Sequence, residues 1–113
     1  MSQITTHILD TARGFPAADV SVELSVFAQG EFQTLARGAT DADGRCKNLL
    51  ASTIALDAGT YRLRFLTGAY LQRTGQAQFY PWVDVVFEVA ADGEHYHVPL
   101  LLSPFAYSTY RGS

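Results

Sequence analysis

Cysteine is almost missing from this chain: Cys46 is the only one in 113 residues. It has no partner for an intrachain disulfide, and a reducing compartment suits such a sequence. Cations are scarce too, with eight Lys and Arg against eleven Asp and Glu, a net charge of −3 and no basic run. Neutralising phosphates needs clustered positive charge, so nucleic acid is not an expected partner. Apolar runs fall far short of the roughly 18 residues a membrane-spanning helix needs, so no membrane role is expected. The start, Met1-Ser2-Gln3-Ile4-Thr5-Thr6, shows no basic segment leading into an apolar stretch; no signal peptide is expected, and the cytoplasm is the default location. The chain also lacks a phosphate-binding glycine loop, a Gly-x-Ser-x-Gly elbow and a motif of paired catalytic carboxylates. Asp41-Ala42-Asp43-Gly44 fails the spacing of a calcium loop and reads as a turn. An enzyme built from this sequence must work with histidine, arginine and hydroxyl groups.

What is present is a hydrophobic content of 48% with 17% charged residues, ordinary for a globular chain and enough for one domain over residues 1–113. Hydrophobicity mostly alternates with period two between closely spaced turn residues, which predicts a sandwich or barrel of antiparallel strands. Strands are expected at Gln3–Leu9, Val20–Phe27, Phe32–Thr40, Arg45–Leu50, Thr60–Leu66, Val83–Ala90, His95–Leu102 and Ala106–Ser113. Asp10–Pro16 reads as a turn, as does Asp41–Gly44, where glycine tolerates positive φ. Thr67–Thr74 is the one expected helix, ending near Gly75. The expected fold is therefore mainly β: an eight-stranded, two-sheet β-sandwich with one short helix.

Strand periodicity sorts the candidate functional residues by face. Tyr96, Val98, Leu100 and Leu102 form a core face, which leaves His95, His97, Pro99 and Leu101 outside, a surface better suited to a subunit interface than to open water. His7 reads equally as a half-exposed strand histidine or as a general base. A His95-x-His97 zinc site would need a third ligand from Cys46 or His7, and without a second cysteine or a carboxylate motif no metal is expected. Arg45 is either a solvated strand-start arginine or a fixed cation whose planar fork binds anionic or carbonyl-rich ligands. Cys46 next to it points to the opposite face and is expected to be buried. If Ser103–Ala106 is the loop of the last hairpin, Leu102 pairs with Tyr107, Pro99 with Tyr110 and His97 with Gly112. Tyr110 would then project on the face of His97; a one-residue slip would put Arg111 and Ser113 there instead.

Several segments together resemble a known family. Ile4-Thr5-Thr6-His7-Ile8-Leu9-Asp10-Thr11-Ala12-Arg13-Gly14-Phe15-Pro16-Ala17, Asp43-Gly44-Arg45-Cys46, Phe79-Tyr80-Pro81, His95-Tyr96-His97-Val98-Pro99-Leu100-Leu101-Leu102-Ser103-Pro104 and Tyr110-Arg111-Gly112-Ser113 are similar, at matching spacing across the chain, to the 5-hydroxyisourate hydrolases, the transthyretin-related branch of purine catabolism. The terminal tetrapeptide distinguishes these hydrolases from transthyretin. Trp82 departs from the pattern, where a more polar residue is expected. The resemblance implies a transthyretin-like sandwich and a homotetramer, a dimer of dimers with active sites in clefts between the dimers. It implies no cofactor, and a site of His7, Arg45 and His97 joined by Tyr110 and Ser113.

The implied reaction is hydrolysis of the N1–C6 amide of 5-hydroxyisourate to 2-oxo-4-hydroxy-4-carboxy-5-ureidoimidazoline in urate degradation. One histidine of the His7/His97 pair would activate water and the other orient substrate or assist the leaving nitrogen. Arg45 would bind carbonyl oxygens and stabilise the oxyanion at C6. Tyr110 would hold the substrate, and Ser113 would position substrate or water. Two rival readings are a transthyretin-like carrier of a small aromatic ligand and an immunoglobulin-like structural module.

Overall fold

A computed structural model describes residues 2–113. Its strands are β1 (Ile4–Asp10), β2 (Phe15–Pro16), β3 (Ser21–Ala28), β4 (Glu31–Ala39), β5 (Arg45–Cys46), β6 (Gly59–Phe65), β7 (Val83–Val89), β8 (Tyr96–Leu102) and β9 (Tyr107–Thr109), with the helix α1 (Thr67–Arg73) after β6. They form two sheets, one in the order β2-β1-β8-β9 with β5 also on β1, the other in the order β4-β3-β6-β7. The alternation that defines the strands also builds the core. Ile4 and Ile8 of β1, Val22 and Leu24 of β3, Leu63 and Phe65 of β6, and Leu100 and Leu102 of β8 are all fully buried between the sheets.

All eight expected strands are present, with three differences. Phe15–Pro16, expected within a turn, adds a short strand on the end of β1. The expected Arg45–Leu50 strand is only Arg45–Cys46, and the expected Ala106–Ser113 strand is only Tyr107–Thr109, followed by an isolated bridge between His97 and Gly112. The third difference is one of direction: β1 and β8 run parallel, with Thr5 opposite His97 and His7 opposite Pro99. A parallel pair needs a long crossover, here nearly the whole chain, and alternation within a strand carries no information about the direction of its neighbour.

The helix ends as its sequence implies. Gly75 adopts φ +72°, its N–H bonds Gln72 O, and the N–H of Gln76 bonds Leu71 O, a Schellman arrangement. A buried polar cluster ties this helix to β1. The Asp10 carboxylate accepts hydrogen bonds from Tyr70 Oη (2.6 Å), Gln76 Nε2 (2.9 Å) and the Arg13 N–H (3.0 Å). Burial alone would raise the Asp10 pKa, but these donors outweigh it and hold the acid below its usual range. The Tyr70 hydroxyl is pushed up to about 12, by burial first and by Asp10 second. Among the described residues no helix is long and apolar enough to cross a membrane.

Candidate active site

The outer face of the β1/β8 sheet, turned away from the core, carries the chemistry. Ile4, Thr6 and Ile8 point inward, so Thr5 and His7 must point outward. The same rule turns His97 outward between Tyr96 and Val98. Across the sheet, Thr5 lies opposite His97, His97 opposite Gly112, and His7 opposite Arg45. Neighbouring strands stand ~4.8 Å apart, so three chain segments distant in sequence meet on one small surface.

Arg45 is delivered by a tight turn. Gly44 has φ +74°, and a Cβ there would lie 2.5 Å from Ile8 O, so only glycine lets the turn close onto β1. The Asp41 carboxylate accepts from the Asp43 and Arg45 N–H groups, and the Ile8 N–H donates to Gly44 O. Arg45 thus enters the site on a braced backbone with an exposed guanidinium. Cys46 faces the other way, buried in the core, and burial followed by the Asp41 charge pushes its thiol pKa up. It takes no part in the site, and among the described residues no group of three His, Cys, Asp or Glu side chains is arranged to hold a metal ion.

A cavity of about 250 Å³ opens on this face, lined by Thr5, Thr6, Arg45, Lys47, His95, His97 and Ser113. The Nδ1 atom of His97 is hydrogen-bonded to Thr5 Oγ1 at 2.8 Å, and no hydrogen bond among the described residues engages its Nε2. Burial first, then the positive fields of Arg45, His95 and His7, hold the His97 pKa below the ordinary value of 6.5. The result is a neutral imidazole at pH 7 with one nitrogen free. His7 does not line the cavity; it stands opposite Arg45, close enough to act on the charge of His97. Gly112 packs against the His97 ring, where a Cβ would come within 2.7 Å of Cδ2.

The structure thus brings Arg45, His97 and Ser113 together in one cavity with His7 opposite Arg45, but not Tyr110. Tyr110 is 57% exposed and lines a separate groove with Val85, Phe87, Tyr96 and Val98. The expected pairing register holds, since Leu102 faces Tyr107 and His97 faces Gly112. The strand nevertheless breaks between them. Pro99 has no N–H to give to Tyr110, and its carbonyl accepts from Thr109 Oγ1 at 2.7 Å. Freed from the ladder, Tyr110 leaves the His97 face. Arg111 swings its guanidinium 4.3 Å over the Tyr96 ring and reaches Glu94 at 3.3 Å, and Ser113 closes on the cavity.

Thr5 and Lys47 are not among the expected site residues, and His95 is expected on the outward, interface-like face or as a metal ligand, not in the site. Thr5 lies two residues before His7 and Lys47 two after Arg45, so period two already put each pair on one face. Trp82, the local departure, sits outside the site, with the Arg64 guanidinium 5.0 Å from its ring.

Comparison with known proteins bears on the family and the fold. The HIUase/Transthyretin family model matches residues 4–112. The chain is 45% identical to a 5-hydroxyisourate hydrolase of Mus musculus, over 99% of this chain and 96% of that protein. The structure of Klebsiella pneumoniae 5-hydroxyisourate hydrolase superposes with a TM-score of 0.84 at 41% identity, covering 97% of this chain and 98% of that one. Sea bream transthyretin in complex with thyroxine superposes with a TM-score of 0.91 at 37% identity, covering 98% and 95%.

Proposed function

Because this chain belongs to the HIUase/transthyretin family, we propose that the cavity around His97 hydrolyses the N1–C6 amide of 5-hydroxyisourate, opening the ring to 2-oxo-4-hydroxy-4-carboxy-5-ureidoimidazoline in urate catabolism. The observation that carries this reading is the free Nε2 of a neutral His97 in a cavity shared with Arg45. A cyclic amide needs a nucleophile, a base to generate it and a cation where negative charge develops, and the cavity holds the last two; water is the first.

His97 Nε2 takes a proton from water, and the hydroxide attacks C6. Arg45 binds the substrate's carbonyl oxygens through its planar fork and stabilises the oxyanion of the tetrahedral intermediate. Lys47, on the same wall, adds to the positive field that draws the carbonyl-rich substrate in. His7, beside Arg45, orients the ring and assists departure of N1, and the Ser113 hydroxyl holds the attacking water. No cofactor enters the reaction. Tyr110 reaches substrate only if assembly brings its exposed ring to a neighbouring site. We assign the chain to a homotetramer, a dimer of dimers, because the outward side of the β1/β8 sheet leaves Leu9 and Leu101 only half-buried and the Phe79 and Phe105 rings are exposed. A lone buried thiol suits the cytoplasm.

The test is direct. 5-Hydroxyisourate generated from urate by urate oxidase should decay much faster with this protein than spontaneously, and His97→Asn should remove most of the acceleration. Decay at the spontaneous rate with folded wild-type protein would defeat the assignment.

A further inference from the structure

Thr5 stands between two imidazoles. Its hydroxyl, on a residue only 4% exposed, is 2.8 Å from His97 Nδ1 and also 2.8 Å from His95 Nε2. The two rings lie 6.4 Å apart and 25° from parallel, so a single oxygen bridges them. A threonine hydroxyl has one hydrogen to donate and lone pairs to accept with, which restricts how this chain of three can be wired. If His97 Nε2 is the lone pair that takes a proton from water, its hydrogen must be on Nδ1, and Thr5 accepts it. The hydroxyl hydrogen then has one partner in the structure, His95 Nε2. The three groups read in one direction, from the cavity to an imidazole at the surface.

We propose that Thr5 is a positioning residue that sets the tautomer of His97 and passes a proton from it to His95, so that the charge gained during water activation leaves the cavity for solvent. The step rests on His97 being the base. Water gives a proton to His97 Nε2. The Nδ1 hydrogen moves to Thr5 Oγ1 as the hydroxyl's own hydrogen moves to His95 Nε2. Thr5 is neutral before and after, His97 returns to neutral with its hydrogen now on Nε2, His95 becomes the cation, and the hydroxide bonds to C6. When N1 departs the relay runs backwards: His97 Nε2 gives its hydrogen to N1, the Thr5 hydroxyl returns one to His97 Nδ1, and His95 Nε2 returns one to Thr5. This restores all three groups while His7 holds the departing end of the ring.

The surroundings favour this direction of travel. A cation on His97 is disfavoured by burial and by Arg45, and Lys47 and His7 also stand at that end. His95 is exposed, so its cation is hydrated, and the neighbouring Glu94 supplies a negative charge that Arg111 shares. Burial and like charge at the His97 end favour moving the charge outward along this chain.

Thr5→Val keeps the side chain's shape and removes the bridge; Thr5→Ser keeps the bridge; His95→Asn removes its outer end. Kinetics and ¹⁵N NMR of histidine-labelled protein test the idea together. Wild type should show His97 protonated on Nδ1 in the resting enzyme, and Thr5→Val should shift it towards a mixture of tautomers. Thr5→Val should lower kcat by about 10- to 100-fold with KM nearly unchanged, as expected for loss of part of a general-base device. Thr5→Ser should recover most of the rate, and His95→Asn should be rescued by added imidazole. A folded Thr5→Val protein with an unaltered His97 tautomer overturns the proposal whatever the rates do. An inactive wild type defeats the hydrolase assignment instead, and the tautomer measurement still judges Thr5.

Discussion

Gly112 lies flat against the imidazole of His97. Its N–H donates to His97 O at 2.8 Å, and a Cβ on it would approach Cδ2 to 2.7 Å. A side chain there would take space that the His97 ring already occupies. Gly112→Ala must therefore push the ring or the tail aside. The expected result is a loss of about 100-fold in kcat/KM, the cost of misplacing a catalytic group by around an ångström. Thermal unfolding should barely change, because residues 110–113 contribute nothing to the core.

Removal of Tyr110–Ser113 carries the same logic further. The segment is held by the Gly112 bridge, the Arg111–Tyr96 contact and an exposed Arg111–Glu94 pair. Their loss costs about 1–2 kcal/mol. The truncated protein should keep its far-ultraviolet circular dichroism and unfold cooperatively, yet accelerate 5-hydroxyisourate decay little if at all. Wild-type turnover by the truncated chain would remove the tail from the site.

The pH dependence follows from His97. Its folded pKa lies below 6.5, so the unfolded chain binds this proton more tightly. The stability contributed by neutral His97 is complete above 6.5 and is lost as pH falls through the lower, folded value. The acid limb of kcat/KM should fall in that lower range. Arg45 is the strongest charge acting on this group, so Arg45→Gln should move the limb to higher pH. Arg45→Lys should leave the limb in place while lowering kcat/KM by about 10- to 100-fold, because charge is kept and the planar fork is not.

Asp10 supports the fold at a distance from the chemistry. Asp10→Ala leaves the buried Tyr70 hydroxyl and the Gln76 amide without their acceptor. The expected cost is about 2–4 kcal/mol in urea unfolding. The acid limb of the rate profile should stay where it is, because Asp10 is absent from the cavity around His97.

Much of the site was legible because strand alternation is a local, steric property. It separated His97 from its buried neighbours, put Arg45 and Cys46 on opposite faces, and gave the hairpin register that pairs His97 with Gly112. The same rule, applied two residues either way, would have added Thr5 and Lys47. Tyr110 was misplaced because alternation was carried through a rung that Pro99 cannot complete. That break was visible in the sequence, since proline has no N–H to donate.

The sequence alone determined what each strand turns inward and outward, where the helix stops and which residue types supply the chemistry, because sterics and periodicity act between near neighbours. The tertiary structure decided who meets whom. Only the parallel pairing of β1 with β8, across more than eighty residues of chain, puts the Thr5 hydroxyl between His95 and His97. Only the docking of the Gly44 turn on β1 brings Arg45 alongside His7. Such contacts depend on the net burial of the whole sandwich, and no window of local sequence contains that free energy.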